Sequence, residues 1–463
     1  MPLEIVTPDE AAPSTSGLRH GVLSPLETLS QSISAIAPTT SPALTIPAVF
    51  ALAGNGTWLA YALACGATLL MALCIARFAR TSASPGSLYQ FATSLLPPLG
   101  SRTAGWALLL AYTATGSSVV GGFLNYARVL LPAAHAVPAS LIVLAATAAA
   151  TFFAYRDVQA SARMMLWIEA ASVSMISLVV AALLFRTGLH VDMQQLTLQH
   201  VSGSGVRLGV VLALFSFVGF ESATTLGHEA RNPLRTIPRA VIQSAILAGL
   251  FFLTCAYTET TGFRGLGLDL GASQAPFRPL SALAHIPFLG PLIDVGAFVS
   301  MFACVLACTT AAARVLLRMA HGGLMPDLFG KTHPRFGTPG AGVILISLGM
   351  FLATAALAIN GVSGTDMYGW LGSISVFGFL TAYALVAASL PFARKALGQH
   401  SHTVAIVSWI TVLVMIAGAV GSIYPIPPAP AIWFPYIYLT CMALGMTWFL
   451  IRRKTIHARM ANP

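Results

Sequence analysis

The chain has 463 residues, 56% of them hydrophobic and only 8% charged, where ordinary soluble domains carry about a quarter charged residues. That shortage excludes a soluble enzyme or a string of soluble domains, because most of the chain cannot face water. The formal net charge of +10 does not point to nucleic acid either, since the basic residues stand singly or in pairs between apolar runs rather than along one face.

From the start of the chain, residues 1–17 contain Glu4, Asp9 and Glu10 and lack the basic start and short apolar run of a secretory signal. Residues 1–22 read as a cytoplasmic tail. A helix needs about 20 apolar residues to cross the hydrocarbon of a bilayer. The first six segments that meet this are Pro25–Phe50, Thr57–Phe78, Thr103–Leu131, Pro138–Tyr155, Ala160–Phe185 and Leu208–Leu226. Six more follow at Pro238–Thr260, Pro291–Leu317, Gly340–Ile359, Asp366–Phe392, Thr403–Tyr424 and Ile432–Ile451. The expectation is an all-α integral membrane domain of twelve helices over residues 23–452, with a second tail over 453–463.

All six cysteines, Cys65, Cys74, Cys255, Cys304, Cys308 and Cys441, fall inside these apolar segments and read as small packing residues. Cys304 and Cys308 share a helical face, but two soft ligands without a third or fourth do not make a metal site. No metal or other cofactor is expected.

If the N-terminus is cytoplasmic, 19 Lys and Arg fall inside and five, Arg128, Arg186, Arg207, Arg264 and Arg278, fall outside. Cytoplasmic loops of membrane proteins carry this excess of positive charge. Both ends are therefore placed in the cytoplasm, with the protein in the inner or plasma membrane.

Two segments are interrupted. The first reads Ser34-Ala35-Ile36-Ala37-Pro38-Thr39-Thr40-Ser41-Pro42, and its two prolines remove backbone donors and disrupt the turns before them. The sixth reads Phe215-Ser216-Phe217-Val218-Gly219-Phe220-Glu221-Ser222, with a glycine and a carboxylate in an apolar run. Lipid cannot satisfy freed carbonyls and amides, so such stretches must face protein or a cavity. Breaks in helices one and six match an inverted repeat of five plus five helices, with the substrate bound between them. A packed helix merely kinked at Pro38 and Pro42 is the alternative for the first break.

The residues around the sixth segment resemble the amino acid, polyamine and organocation permeases. That family carries an F-x-G-F-E signal followed by E-A-x-N-P-x-R-x-I-P, and the chain has Phe217-Val218-Gly219-Phe220-Glu221 and then Glu229-Ala230-Arg231-Asn232-Pro233-Leu234-Arg235-Thr236-Ile237-Pro238. Pro85-Gly86-Ser87-Leu88-Tyr89 with Gly105-Trp106, and the stretch from Arg314 through Gly323-Leu324-Met325-Pro326 to Thr338-Pro339, agree as well. The resemblance implies a LeuT-like five-plus-five fold, with repeats over about 25–186 and 208–392 and two added helices over 403–452. It also implies alternating access for amino acids or amines. One departure stands out: the family usually has a glycine-rich break in helix one, where this chain has Ala37-Pro38-Thr39-Thr40-Ser41-Pro42.

The candidate substrate residues are Ile36, Ala37, Thr39, Thr40 and Ser41 in helix one and Phe215, Ser216, Phe217 and Gly219 in helix six. Gly116 and Ser117 of helix three join them, although small and hydroxyl residues also serve close helix packing. Phe215 holds the family position of an aromatic gate over the substrate, and Phe377 of helix ten is a second aromatic candidate. Glu221, a carboxylate at mid-membrane, is costly unless protonated, paired or facing water. It is read as a proton carrier, an ammonium partner or a tie on the unwound segment.

Glu169 of helix five is either a proton carrier or the partner of a nearby arginine such as Arg163. Some relatives have a lysine on this helix in place of a sodium ion, and Ser172 aligns with it. That suggests a cation held by Ser172, Thr309 or Thr310 and carbonyls near Ile36. In the loop after helix six, Glu229 and Arg231 form a candidate gate pair, with Pro238 in the first turn of helix seven.

No H-E-x-x-H, G-x-S-x-G or phosphate-binding loop occurs, which speaks against an enzyme. The expectation is a secondary transporter of an amino acid or amine, coupled to protons or sodium or exchanging, with a transporter-like ligand sensor as the alternative. Its partners are the small solute, the coupling ion and the lipid bilayer, and not nucleic acid.

Overall fold

A computed structural model describes residues 18–82, 86–93, 96–156, 158–186, 191–396, 401–427 and 429–452. Residues 1–17 of the first tail, all of 453–463 and Pro85 of the family motif lie outside the described residues. The helices run α1 Pro25–Ile36, α2 Ile46–Ala53, α3 Thr57–Ala79, α4 Ser87–Thr93, α5 Pro98–Leu130, α6 Ala139–Arg156, α7 Val158–Arg186 and α8 Met193–Leu196. They continue as α9 Gly203–Phe215, α10 Pro233–Leu266, α11 Phe277–Leu283, α12 Leu289–His321, α13 Gly340–Ile359, α14 Gly364–Ala396, α15 His402–Gly421 and α16 Phe434–Ile451.

Ten stretches of the described residues are long and apolar enough to cross a membrane. The first, Pro25–Ala79, is 55 residues long and holds both the interrupted first segment and α3, while Gly203–Phe215 is apolar but shorter than a full crossing. The outward faces carry large apolar side chains such as Trp167 at 74% exposure, Phe185 at 75% and Ile359 at 76%. So much exposed apolar surface suits hydrocarbon and not water. This is a multi-pass, all-α membrane protein.

Burial separates the centre of the bundle from its rim. The apolar windows of α5 and α12 are 78% and 72% buried, whereas those of α6, α15 and α16 are 28% buried. At the centre α5 packs against both α12 and α14, with α1, α3 and α10 completing the inner packing. The breaks are therefore enclosed by protein and shielded from lipid.

Local sequence sets both ends of α1. Ser24 caps its start, accepting from the Glu27 amide at 3.3 Å while Glu27 Oε2 accepts from the Ser24 amide at 2.8 Å. Such a reciprocal pair satisfies two amides that a helix start leaves free. At the other end Ala37 adopts φ +51. Pro38 disfavours the α conformation in the residue before it, and a left-handed residue at that point ends the helix. The chain then resumes as a π-turn, Ser41–Thr45, that leads into α2.

The seventh membrane segment differs from expectation at its start. α10 begins at Pro233 after Asn232 at φ +48, which leaves Pro238 inside the helix. The first-turn proline is Pro233, because that position needs no amide donor.

Candidate functional site

The second break follows α9. From Ser216 to Glu221 the backbone makes successive turns, with Gly219 at φ +92, and a 3₁₀ turn, Ser222–Leu226, carries on from there. The two breaks touch: a Cβ added to Gly219 would lie 2.9 Å from Ala35 Cβ and 3.0 Å from the Ala35 carbonyl oxygen. Only glycine combines that backbone angle with that approach. Hydrogen bonds fasten the contact, with Ser222 Oγ donating to Gln31 O at 2.9 Å and the Ala223 amide to Ser32 Oγ at 3.0 Å.

Ile36, Ala37, Thr39, Thr40 and Ser41 are all buried. The hydroxyls of Ser34, Thr39 and Thr40 are enclosed and make no hydrogen bond among the described residues. Buried polar groups in native proteins are nearly always satisfied, and an exception calls for an explanation such as a ligand or ion. Ala37 adds strain, since a left-handed non-glycine residue costs about 1–2 kcal/mol.

On the other side of the breaks, Phe215 packs edge-on against Tyr368 at 5.4 Å and lies over Gly372. The Tyr368 hydroxyl pairs with Thr45 Oγ1 at 2.8 Å, which joins α14 to the second half of the first segment. Ser216 Oγ pairs with the Tyr61 hydroxyl at 2.9 Å, and Phe217 packs on Phe252 at 5.3 Å. A cavity of about 20 Å³ lies behind the second break, lined by residues such as Phe217, Phe220, Thr68 and Tyr383. That volume admits about one water.

Glu221 is fully buried, accepting from the Tyr112 hydroxyl at 2.7 Å and the Tyr383 hydroxyl at 2.5 Å. The two tyrosines tie the unwound segment to α5 and α14. Neither was singled out from the sequence, because a tyrosine in an apolar helix has no local mark showing where its hydroxyl ends.

Several sequence expectations come apart. Glu169 accepts from Ser300 Oγ at 2.9 and 3.0 Å, while Arg163 pairs with Glu27 at 2.7 Å, so the arginine partner proposed for Glu169 belongs elsewhere. Ser172 donates to Gly296 O at 3.2 Å, whereas Thr309 donates to Val305 O at 2.8 Å. Gly296 and Thr309 stand about 20 Å apart along α12 at 1.5 Å per residue, too far for Ser172 and Thr309 to share one cation. The buried helix-five side chains that cluster with Ala35 and Ala303 are Ala162 and Met165, which offer no ligand.

Phe377 stacks on Tyr438 at 5.7 Å in a separate cluster with Ala107 and Phe434. The α14 aromatic at Phe215 is Tyr368. Gly116 faces Met350 and Cys308, and Ser117 bonds back to Thr113 O at 2.9 Å, both being packing arrangements. Glu229 does not pair with Arg231, whose Nε donates to Gly21 O at 3.1 Å. It takes two bonds of 2.7 Å from the buried Arg314.

Glu259 of α10 was also missed. The expected segment end at Thr260 places it at an interface, but the helix runs on to Leu266 and buries it completely. The rule that draws attention to Glu221 applies to it equally.

An interrupted polar stretch enclosed at the centre of an apolar bundle defines a membrane carrier for a small solute. The chain belongs to the amino acid permease family, whose sequence profile matches residues 28–459. It is 29% identical over 356 residues to an uncharacterized transporter of Mycobacterium tuberculosis, covering 74% of this chain and 73% of that one. It is 25% identical over 367 residues to the branched-chain amino acid permease BcaP of Bacillus subtilis, covering 74% of each. With the low-affinity putrescine importer PlaP of Escherichia coli it shares 28% identity over 314 residues, 65% of this chain and 66% of that one. The protein is thus a secondary transporter of the amino acid and amine class and has no enzymatic role.

Proposed function

We propose that the solute binds between the breaks at Ala37–Ser41 and Ser216–Glu221 and crosses by alternating access. The observation that carries this reading is the group of three enclosed hydroxyls, on Ser34, Thr39 and Thr40, without hydrogen-bond partners. A polar solute would supply them. Thr39 and Ser41 carry amides near the start of a helical stretch, a place that attracts a carboxylate, while the Thr40 amide donates to Ala37 O at 2.9 Å. Phe215, held by Tyr368, closes over this space as the gate, and its ring face would attract an ammonium group. A neutral amino acid or small amine fits this lining, and the names of BcaP and PlaP span the same range.

The broken first and sixth segments support a twelve-helix, five-plus-five arrangement, and the positive-inside bias supports cytoplasmic termini. Glu221, engaged by two tyrosine hydroxyls, acts in this reading as the tie that holds the second break open, while Glu169 and Ser172 brace α7 against α12.

The test is labelled uptake and counterflow in proteoliposomes across a panel of amino acids and amines that includes leucine and putrescine, with imposed proton and sodium gradients. Thr39→Val is expected to weaken affinity about tenfold, the loss of one or two hydrogen bonds. Glu221→Gln should reduce binding and uptake together. Binding without exchange or accumulation would sink the transport mechanism and favour a ligand sensor.

A further inference from the structure

Glu259 is fully buried on α10, and neither of its carboxyl oxygens has a hydrogen-bond partner among the described residues. The other buried acids have donors: Tyr112 and Tyr383 serve Glu221, Ser300 serves Glu169, Arg314 serves Glu229 and Arg278 serves Asp294. A carboxylate enclosed in apolar surroundings without a donor or cation is stable only when it holds a proton.

Glu259 also lies where the breaks can act on it. It follows Phe252 by two helical turns on the same face of α10. Phe252 packs on Phe217 at 5.3 Å and on Tyr61 at 6.0 Å, and the Tyr61 hydroxyl holds Ser216 of the second break. The titratable groups close enough to sense its charge are Tyr61 of α3, Tyr126 of α5 and Cys255 of its own helix. Asp294 and Arg278, paired with each other at 2.5 Å, approach Tyr126 as well. None of these is a free cation that would neutralise a carboxylate. Toward its C-terminal end the helix runs only about 10 Å further, into the polar group of Thr261, Gln195, Asp192 and Arg264. An ionised Glu259 is therefore within reach of water if the packing opens at that end.

We infer that Glu259 carries the proton that moves with the solute. Its carboxylate takes one proton from water on one side of the membrane, keeps it as a neutral carboxyl while the breaks are enclosed, and returns it to water on the other side. The inference deepens and rests on the transport reading above.

The test compares wild type, Glu259→Gln and Glu259→Asp in proteoliposomes with labelled leucine and putrescine and the rest of the panel. Counterflow without a gradient is set against uptake driven by an inside-alkaline pH gradient. Glu259→Gln is expected to keep counterflow within about twofold of wild type and to lose about tenfold or more of gradient-driven accumulation. Gradient-driven accumulation that survives in Glu259→Gln would overturn the inference, as would wild-type counterflow that no pH gradient can drive. Counterflow lost for putrescine alone would also overturn it, by making Glu259 the counter-charge of a cationic solute. If Glu259→Gln does not fold, infrared difference spectra on solute addition decide: a protonated-carboxyl band in wild type that shifts in Glu259→Asp supports the inference, and no such band refutes it. Wild type without counterflow for any probe would instead remove the transport reading beneath it.

Discussion

Gly219→Ala tests whether the two breaks truly share one contact. Gly219 sits at φ +92, and an added Cβ would stand 2.9, 3.0 and 3.1 Å from the Cβ, carbonyl oxygen and carbonyl carbon of Ala35. The left-handed backbone costs alanine about 1–2 kcal/mol. Forcing the second break away from the first adds about 1–3 kcal/mol, the usual cost of overpacking. Gly267→Ala supplies the control, because Gly267 is at φ +64 with nothing within 4 Å of the added Cβ, so only the backbone cost applies. The pair is compared by thermal unfolding in detergent and by solute affinity. Gly219→Ala should melt several degrees below Gly267→Ala and bind more weakly. Equal melting with unchanged affinity in both variants would refute the packing of Ala35 on Gly219.

Arg314→Met removes both 2.7 Å bonds to Glu229 and leaves a buried carboxylate, at a cost of about 3–5 kcal/mol. Adding Glu229→Gln should recover part of that loss, and an additive double variant in denaturant unfolding would contradict the pairing. His228 stacks on His20 at 5.2 Å, and burial, with His20 and Arg318 nearby, holds its pKa down to about 4. Because that value lies below the unfolded 6.5, the stabilisation is complete above pH 6.5 and is lost as pH falls toward 4. At 1.36 kcal/mol per unit the loss reaches at most about 2 kcal/mol at pH 5, less what partial exposure screens. The segment that pairs Leu23 with Ala230 and Gly21 with His228 should be less protected at pH 5 than at pH 7.5, protection being the intrinsic amide exchange rate at each pH divided by the observed rate. His228→Asn should remove the difference, and a protection factor that does not change with pH in wild type would contradict the mechanism.

Much of the site was legible because its signals are local. Pro38 and Pro42 each remove a backbone donor and disturb the turn before them, and Gly219 beside Glu221 interrupts an apolar run in a way that hydrocarbon does not tolerate. The partners were not legible. Glu221 has no mark in the sequence pointing to Tyr112 or Tyr383, more than 100 positions away on either side. Nor did the sequence around Ser172 show that its hydroxyl bonds to Gly296 of α12, because helix register sets which neighbour a side chain meets.

Composition and periodicity alone made this a membrane protein, since 8% charge leaves the chain no other solvent than lipid and its own interior. The backbone chemistry of proline and glycine marked where two helices are disturbed. Only the tertiary structure decided that the two interruptions meet at Ala35 and Gly219, that Arg314 and not Arg231 holds Glu229, and that Glu259 is enclosed without a donor among the described residues. Burial and pairing are properties of distant chain segments brought together, and no window of sequence contains them.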